Sequence, residues 1–279
     1  MSSSLKVDKI GLVFDGKTSS LQLPLSASAG KKVWTISTTL STTQNTADFA
    51  IYHQPCLIGI DTGGWQSDDF HLDTKNGNLF LFNGMSNSDS GTDTGIKIND
   101  EIQHNIVLTS DGTKFVLYCD GKKATESAIT KALNSAYPIT IGCSKPVEKV
   151  YSQLTLYDFK FYDSCLTGGK ATTEKPIVDY EPDTVDFSNK YLADKSGNGN
   201  NSQAFQGTIT SVDAKGNTPL VTINADIARK VSAELVNIYD ISRTLKDNTI
   251  AVTNYYDISR KTNIDEITNY DIVLSFKLS

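Results

Sequence analysis

Long apolar runs are missing from this sequence, and their absence limits where the chain can reside. No stretch approaches the roughly 20 apolar residues that a membrane-spanning helix needs. The first residues, Met1-Ser-Ser-Ser-Leu-Lys-Val-Asp8, lack the apolar core and the small-residue cleavage site of a secretory signal. We therefore expect a soluble protein that carries no export signal and has no membrane partner.

An excess of positive charge is also missing. The net charge is −6, with acidic and basic residues interspersed along the chain. A nucleic-acid-binding protein normally shows a clustered basic surface or a basic stripe. The charge pattern therefore predicts no nucleic-acid partner.

Cysteine is scarce, and its spacing excludes a recognisable zinc motif. The four cysteines are Cys56, Cys119, Cys143 and Cys165. No two of them form a C-x-x-C pair, which a structural zinc site would normally contain. We interpret them as buried thiols that behave as small hydrophobic residues. A Cys143–Cys165 disulfide is the alternative, because both residues flank consecutive strands.

Helical periodicity is weak, whereas strand patterns recur all the way from Gly11 to Tyr162. The segment Thr109–Gly121 holds two Asp-Gly pairs, each suited to a tight hairpin turn, on either side of an alternating strand. Short apolar or β-branched segments bounded by turn residues follow the same pattern; they are 11–24, 33–40, 57–60, 78–82, 106–109 and 153–162. In segment 153–162 the apolar residues switch from even positions, at Leu154 and Leu156, to odd positions from Tyr157 onward. This switch indicates a β-bulge or burial on both faces. The chain is therefore predicted to be all-β.

Together these segments resemble the concanavalin A-like jelly roll of laminin G-like and pentraxin-like domains. The resemblance covers about residues 8–170. It is carried by the hairpin Leu12–Leu23, the strand at Trp34, the sequence from His104 to Asp111-Gly112 and Asp120-Gly121, and the closing strand Leu154–Thr167. It implies a jelly-roll sandwich at 1–170. Polar and small residues predict a linker and Asn/Gly-rich loop region at 171–219, and the strand-like segments Thr249–Thr253 and Ile272–Leu278 favour a smaller repetitive β-rich region at 220–279. The same fold carries lectins, glucanases and adhesion modules, so it does not fix the function.

A catalytic role is not supported by the sequence. Glucanases of this fold place Glu-x-Asp-x-x-Glu along one strand, where alternation puts the carboxylates on one face. The nearest segment here, Glu181-Pro-Asp-Thr-Val-Asp186, ends in aspartate and contains a proline. The histidines at 53, 71 and 104 are separated and lack partners at ligand spacing. We therefore predict that the protein is not an enzyme.

A glycan-binding surface is easier to motivate from the residues between Tyr52 and Asn87. Sugar recognition needs an aromatic ring for the apolar face of a pyranose and polar groups for its hydroxyls. The candidate ligand-binding residues are Tyr52, His53, Trp65, Gln66, Asp68, Asp69, His71 and Asn83. The alternative for Trp65 is that it packs as a core or edge residue.

No cofactor is predicted, although Ca²⁺ is an option that the resemblance raises. Asp68, Asp69 and Asp73 supply carboxylates in the same segment. They lack the ordered ligand spacing of a recognised calcium loop. The alternative interpretation is that they are solvated turn carboxylates.

The C-terminal region, from position 220 onward, contains a second pattern, a repeated Asp-Ile-x-Arg. The repeat residues predicted to make oligomer contacts are Asp226, Arg229, Asp240, Arg243, Asp257 and Arg260. These three arginines are the only ones in the chain, and the planar arginine fork suits contacts to carboxylates or carbonyls of a neighbouring repeat. Simple duplication with exposed, weak pairs is the alternative. The pattern leaves open whether the repeats are strands or helices.

Similar Tyr-Asp-x-x-Arg repeats occur in structural proteins of tailed phages and prophages. This resemblance implies a virion-associated protein, made in the host cytoplasm, whose jelly roll binds a cell-surface glycan or host receptor. Its further partners would be other virion proteins and copies of itself. Two alternatives stay open, namely a purely architectural virion protein and a carbohydrate-binding module on a bacterial cell surface.

Overall fold

The computed structural model describes residues 11–46, 55–62, 68–143, 150–166, 173–212, 220–223, 250–251 and 272–276. The chain divides into two compact units, Lys9–Thr210 on the one hand and Met1–Asp8 with Ser211–Ser279 on the other. Among the described residues, no helix is both long enough and apolar enough to cross a membrane.

Strands account for nearly all the regular structure of the described residues. One short helix, α1 (Leu25–Ser28), and a 3-10 turn at Pro182–Thr184 interrupt them. In chain order the strands are β1 (Gly11–Asp15), β2 (Leu21–Gln22), β3 (Val33–Ser41), β4 (Cys56–Ile60), β5 (Phe70–Lys75), β6 (Asn78–Asn83), β7 (Ser90–Lys97), β8 (His104–Asp111), β9 (Lys114–Cys119), β10 (Lys122–Ala128), β11 (Thr140–Ile141), β12 (Gln153–Tyr162), β13 (Val178–Tyr180), β14 (Val185–Asp186), β15 (Tyr191–Leu192), β16 (Ile209–Val212), β17 (Leu220–Ile223), β18 (Ile250–Ala251) and β19 (Ile272–Phe276).

Two large antiparallel sheets form the first unit. One has the order β10-β9-β8-β3-β12-β1-β16, with β13 paired to β12, and the other has the order β2-β11-β4-β5-β6-β7. Strands that are neighbours in a sheet are often far apart in sequence, as for β3 with β12, which is typical of a jelly roll. The predicted all-β sandwich is confirmed.

Aromatic packing joins the two sheets around Trp34, which is fully buried. Its ring centroid lies 5.2 Å from that of Phe70 in the six-stranded sheet. It lies 5.5 Å from Phe115 and 6.1 Å from Phe161 in the eight-stranded sheet. Because such pairs add to the free energy gained from apolar burial, Trp34 is a main contact between the layers.

The turn and bulge predictions are also confirmed. Gly112, Asp120 and Gly121 all have positive φ angles, as the Asp-Gly turns require. In β12, the register with β3 shifts between Leu156 and Asp158, so a bulge at Tyr157 produces the phase change seen in the sequence.

Residues 173–210 are not a linker, in contrast to the boundary expected at 170. β13 extends the large sheet by pairing with β12, and the side chains of Val178, Tyr180, Leu192 and Phe205 lie in the core. Backbone hydrogen bonds between Ser20 and Gln206 attach the end of this segment to the start of the sandwich. The compact unit therefore continues to Thr210, well past the expected end.

In the second unit, the described residues form one antiparallel sheet with the order β17-β19-β18. This agrees with the strand-like pattern at Thr249–Thr253 and Ile272–Leu278. The Asp-Ile-x-Arg residues, from Asp226 to Arg260, lie outside the described residues, so their predicted oligomer contacts stay a prediction.

All four cysteines are thiols. Cys56, Cys119 and Cys143 are buried, as predicted, whereas Cys165 is partly exposed. The alternative of a Cys143–Cys165 disulfide is therefore not realised.

Candidate functional site

Three loops meet at one end of the six-stranded sheet. The register pairs Ile60 of β4 with Phe70 of β5, and Phe70 with Asn83 of β6. The chain leaves β4 and β6 at this end of the sheet. It also enters β11 here, coming from residue 139. We call the described residues 61–62, 68–69, 84–89 and 129–139 the loop rim.

Hydrogen bonds and an ion pair hold the loop rim together. The backbone N–H groups of Thr130 and Lys131 donate to the carbonyl of Met85 at 2.9 and 3.2 Å. The Lys131 ammonium lies 3.2 Å from Asp68 Oδ1, which connects two of the loops. Gly84 N–H donates to the Asp69 carbonyl at 3.0 Å. The three loops therefore form one surface rather than three independent segments.

Several groups suited to sugar recognition reach solvent on the loop rim. The side chains of Asp68 and Lys131 are 43% and 26% exposed. Thr130 Oγ1 donates to the amide oxygen of Asn87 at 3.4 Å. Tyr137 is 46% exposed, and its loop is fixed by the Asn134 amide oxygen, which accepts from the N–H groups of Ala136 and Tyr137.

The sequence-predicted ligand residues divide into two groups. Tyr52, His53, Trp65 and Gln66 lie outside the described residues, so their predicted role stays a prediction. Asp68, Asp69, His71 and Asn83 all lie at or next to the loop rim, but only Asp68 is well exposed.

Asn83 serves the framework instead of a ligand. Its amide nitrogen donates to Ser127 Oγ at 2.8 Å and to the Ala128 carbonyl at 2.9 Å. Its amide oxygen accepts from Met85 N–H at 2.9 Å. Because these contacts use both ends of a buried amide, Asn83 is withdrawn from the candidate set.

An acidic and imidazole cluster lies at the base of the loop rim, formed by Asp61, Asp69 and His71. Their potential ligand atoms all lie within 4.8 Å of one another. Asp69 and His71 are buried, whereas Asp61 is partly exposed. Neither ring nitrogen of His71 has a hydrogen-bond partner, and neither does Asp69 Oδ1. Thr62 Oγ1 donates to Asp69 Oδ2 over a long distance, 3.5 Å.

Burial dominates the electrostatics of this cluster. Burial and the nearby Asp61 carboxylate raise the pKa of Asp69 to about 7. Burial lowers the pKa of His71 to about 4, although Asp61 opposes this shift. Burial also raises the pKa of Asp73 well above its usual value, against the effect of the Cys56 thiol. At neutral pH His71 is therefore an uncharged imidazole, the form that can accept a hydrogen bond or bind a metal.

Gly84 and Gly59 lack side chains and so provide room for the cluster. A β-carbon at Gly84 would collide with Asp69 Oδ1, so this carboxylate would have to move away if another residue replaced the glycine. Gly59 is paired directly with His71, and a β-carbon there would collide with the Phe70 carbonyl and the Cys56 sulfur. The backbone around the cluster is thus built for close approach.

Asp68, Asp69 and Asp73, which the sequence offered for Ca²⁺, do not converge as one ligand set among the described residues. Asp68 is paired with Lys131. Asp73 lies two residues beyond His71 on β5, fully buried, with Oδ2 4.0 Å from His71 Nδ1. The sequence missed Asp61, whose only signal is its position directly after an apolar strand.

A second group, His104 with Asp100 and Asp120, is structural. His104 Nδ1 lies 2.8 Å from Asp120 Oδ2, and Nε2 lies 3.0 Å from Asp100 Oδ1. Burial opposes the charge on His104, but the two carboxylates outweigh it and raise the pKa of the ring. Cys119 lies in the same group, with its sulfur within 4.8 Å of the His104 and Asp120 ligand atoms. Both ring nitrogens of His104 face carboxylates, so the group joins the turns before β8 and after β9.

The segment nearest to a glucanase motif also has a structural role. Glu181 and Asp183 both pair with Lys195, whose Nζ lies 2.9 Å from Asp183 Oδ1. Residues 182–184 form a 3-10 turn and not a strand, so the carboxylates do not line one face of a sheet.

Comparisons with known proteins agree with this architecture. A family model described as the concanavalin A-like lectin/glucanases superfamily, of laminin G type, matches residues 15–172, more than half of the chain. No curated protein matches the sequence.

Similar solved structures share the fold at low sequence identity. A proposed carbohydrate-binding protein from Bacteroides ovatus has a TM-score of 0.55 and 14% identity, over 76% of this chain and 61% of its own. The chain thus spans less than two thirds of that protein. The carbohydrate-binding module of a Ruminococcus gnavus sialidase, bound to α2,3-sialyllactose, has a TM-score of 0.42 and 13% identity, over 56% of this chain and 91% of its own. Domains LG4-5 of the mouse laminin α1 chain have a TM-score of 0.45 and 11% identity, over 62% and 47%.

The two-sheet topology and the family match lead to one assignment. The chain belongs to the concanavalin A-like lectin/glucanases superfamily.

Proposed function

We propose that the first unit is a non-catalytic carbohydrate-binding module and that its glycan binds at the loop rim. The observation that carries the proposal is that three loops, fastened together at Met85 and at the Asp68–Lys131 pair, present an exposed tyrosine with charged and amide groups. A pyranose has an apolar face and a ring of hydroxyls, and this surface offers partners for both. The family supports the proposal because it includes lectins.

Lys131 and Asp68 suit hydroxyl recognition because each is held by the other. An ammonium donates hydrogen bonds and a carboxylate accepts them, and both groups remain partly exposed. Pre-positioned polar side chains lose less conformational entropy when a ligand binds. Tyr137 supplies the flat ring on which a sugar face can stack.

We propose that the module is non-catalytic because the segment nearest to a glucanase motif has a structural role. Glu181 and Asp183, the nearest approach to a glucanase motif, share Lys195. Asp61 and Asp69 form an acidic pair within the loop rim, and Asp69 has the raised pKa that a general acid would need. A hydrolysis assay is therefore part of the test.

The test is a glycan array probed with the full chain, followed by titration of the strongest ligand. Tyr137→Ala and Lys131→Ala should each weaken binding by about tenfold or more, the usual effect of removing a central contact. Phe187→Ala is the matched control for Tyr137, because Phe187 is also an aromatic residue that is 46% exposed. Lys123→Ala is the control for Lys131, because Lys123 is paired with Glu126 at 2.9 Å away from the loop rim.

Three results would contradict the proposal. One is an array without binding, and another is equal loss of binding in the control variants. Release of reducing sugar from a bound oligosaccharide, abolished by Asp69→Asn, would replace the binding module with a glycosidase.

We further propose, from the repeats in the sequence, that the module is displayed on a virion and that its C-terminal region assembles copies of the chain. Within the described residues, β17 and β18 each pair with β19, so both are available as sheet edges for another strand. Sedimentation equilibrium of the full chain should give the mass of an oligomer, that is, two or more times the chain mass of 30.4 kDa. A monomeric full chain, or purified phage particles that lack the protein by mass spectrometry, would favour a bacterial surface module.

A further inference from the structure

We propose that Asp61, Asp69 and His71 bind a first-row divalent metal ion such as Zn²⁺. The three side chains supply one imidazole nitrogen and two carboxylate oxygens within 4.8 Å of one another. Asp61 directly follows β4, and Asp69 and His71 flank the first residue of β5, which pairs with β4. Asp61 and Asp69 thus lie at the two ends of the β4–β5 connection, directly beside the paired strands, and His71 lies on β5 itself.

The unsatisfied state of His71 is the second observation that points to a ligand. The residue is 1% exposed, and neither of its ring nitrogens has a hydrogen-bond partner. Most buried polar side-chain atoms in folded proteins are hydrogen-bonded, so each exception needs a physical reason. A metal ion bound to one ring nitrogen would supply it.

His104 provides the internal comparison. It too lies next to two aspartates and a cysteine, but both of its ring nitrogens face carboxylate oxygens, at 2.8 and 3.0 Å. Its hydrogen-bonding capacity is used within the protein. The two groups contain similar residue types, and only the Asp61 cluster leaves its imidazole unpartnered.

A further carboxylate lies beside the three ligands. Asp73 is fully buried, neither of its oxygens makes a hydrogen bond of normal geometry, and Oδ2 lies 4.0 Å from His71 Nδ1. Buried carboxylates need a proton, a counter-charge or a metal. A divalent ion would neutralise the ligand carboxylates. Asp73 Oδ2, 4.0 Å from His71 Nδ1, could then close on the second ring nitrogen, as outer carboxylates do at many zinc sites.

The ligand chemistry selects the class of metal. Ca²⁺ and Mg²⁺ prefer oxygen ligands alone, whereas a mixed imidazole and carboxylate set suits zinc and its first-row neighbours. Three protein ligands would leave a position for water or another ligand. Because only Asp61 reaches solvent, the ion would enter from that side. The inference does not rest on the glycan proposal, since metal binding is measured without sugar.

The test is calorimetric titration of Zn²⁺ into the full chain, freed of any affinity tag. We expect one ion per chain, and a midpoint of thermal unfolding that rises with zinc and falls with a chelator, because a ligand that binds only the folded state stabilises it. Asp69→Asn and His71→Gln should lose at least tenfold in affinity. Asp73→Asn should lose about 10- to 100-fold, as outer partners of a metal ligand usually do.

The control variant is Asp183→Asn, which makes the same chemical change on an exposed side chain outside the loop rim and should leave zinc affinity unchanged. His71 is buried, so Asp61→Asn, at the partly exposed ligand, is used if His71→Gln fails to fold. Unchanged zinc affinity in folded Asp61→Asn and Asp69→Asn would overturn the proposal.

Cobalt distinguishes this site from the cysteines. Co²⁺ bound by imidazole and carboxylate gives ligand-field absorption without thiolate-to-cobalt charge transfer. Charge-transfer absorption would place the ion on one of the four cysteine thiols and would overturn the assignment. Absence of any zinc binding by the wild-type chain would do the same.

Discussion

At the scale of single residues, two histidines in the same domain take opposite states because of their neighbours. His71 is buried without a hydrogen-bond partner, and burial lowers its pKa to about 4. His104 lies between Asp100 and Asp120, and these carboxylates raise its pKa in spite of burial. The first is therefore available to a ligand, whereas the second is a structural contact that uses both ring nitrogens.

The His104 group predicts a stability window in pH. The raised pKa of His104 gives a stabilisation that is complete below 6.5, its unfolded value, and is lost as pH rises through the folded pKa. The lowered pKa values of Asp100 and Asp120 give a stabilisation that is complete above 3.8 and is lost as pH falls through their folded values. The group should therefore stabilise the fold most between about pH 4 and 6.5.

The variant His104→Gln tests this window by denaturant unfolding. We expect a loss of about 1–2 kcal/mol at pH 5.5, allowing for solvent screening of the half-exposed Asp120, and a smaller loss at pH 8.5. Lys114→Gln is the control, since it removes a surface ion pair at 3.2 Å whose partners do not titrate in this range. An equal loss at both pH values would show that His104 acts through packing alone.

The residues predicted from the sequence and those of the proposed site overlap only in part. Asp68, Asp69 and His71 lie at or next to the loop rim, as their density in one segment predicted. Lys131 and Tyr137 were missed because they are distant from that segment along the chain, and only the pairing of β11 with β4 brings their loop to this end of the sheet. The sequence also did not show which side chains are buried. Asn83 was therefore predicted to bind a ligand, although its amide is buried.

At the scale of elements, the loop after β15 shows how a polar, glycine-rich segment becomes ordered. The Asp194 carboxylate accepts hydrogen bonds from the N–H groups of Asp179, Ser196 and Asn200, all at 2.9 Å, and from Ser196 Oγ at 2.7 Å. The Tyr180 hydroxyl donates to the Asn200 carbonyl at 2.7 Å. One carboxylate therefore fastens the loop to β13 at the edge of the large sheet.

Asp194→Ala should destabilise the first unit by about 2–4 kcal/mol, because three backbone N–H groups lose a charged acceptor. Asp183→Ala, which removes an exposed partner of Lys195, is the matched control and should cost less than about 1 kcal/mol. Chemical unfolding of the two variants gives the comparison. A similar small loss in both would mean that water replaces the acceptor at position 194.

Turns and strands were predicted where the local sequence is distinctive. The Asp-Gly pairs mark their turns by residue type, and the bulge of β12 is visible as a change in the alternation of apolar residues. By contrast, β13 has three residues and β15 has two, too few for a period to appear. The Asn/Gly-rich loop was therefore assigned to a linker, although hydrogen bonds to Asp194 order it.

At the scale of the whole molecule, the sandwich depends on residues beyond the family match, which ends at residue 172. Val178, Tyr180, Leu192, Phe205 and Ile209 are each at most 5% exposed and belong to the same core. Burial of these side chains contributes on the order of 10 kcal/mol, comparable to the whole stability of a typical domain.

A chain ending at Thr172 should therefore fail to unfold cooperatively, as measured by near-ultraviolet circular dichroism during thermal denaturation. A chain ending at Val212, which keeps the whole first unit, is the control and should retain a sharp transition. A sharp transition in the shorter chain would show that the segment after residue 172 is not needed for the core.

The central claim is that the glycan binds at the loop rim. Hydrogen exchange of the full chain, with and without the strongest ligand from the array, tests it most directly. We predict slower exchange of backbone amides in residues 84–89 and 129–139, and unchanged exchange around Phe187 and in β8 to β10. Protection around Phe187 or on the eight-stranded sheet, with no change at the loop rim, would contradict the account.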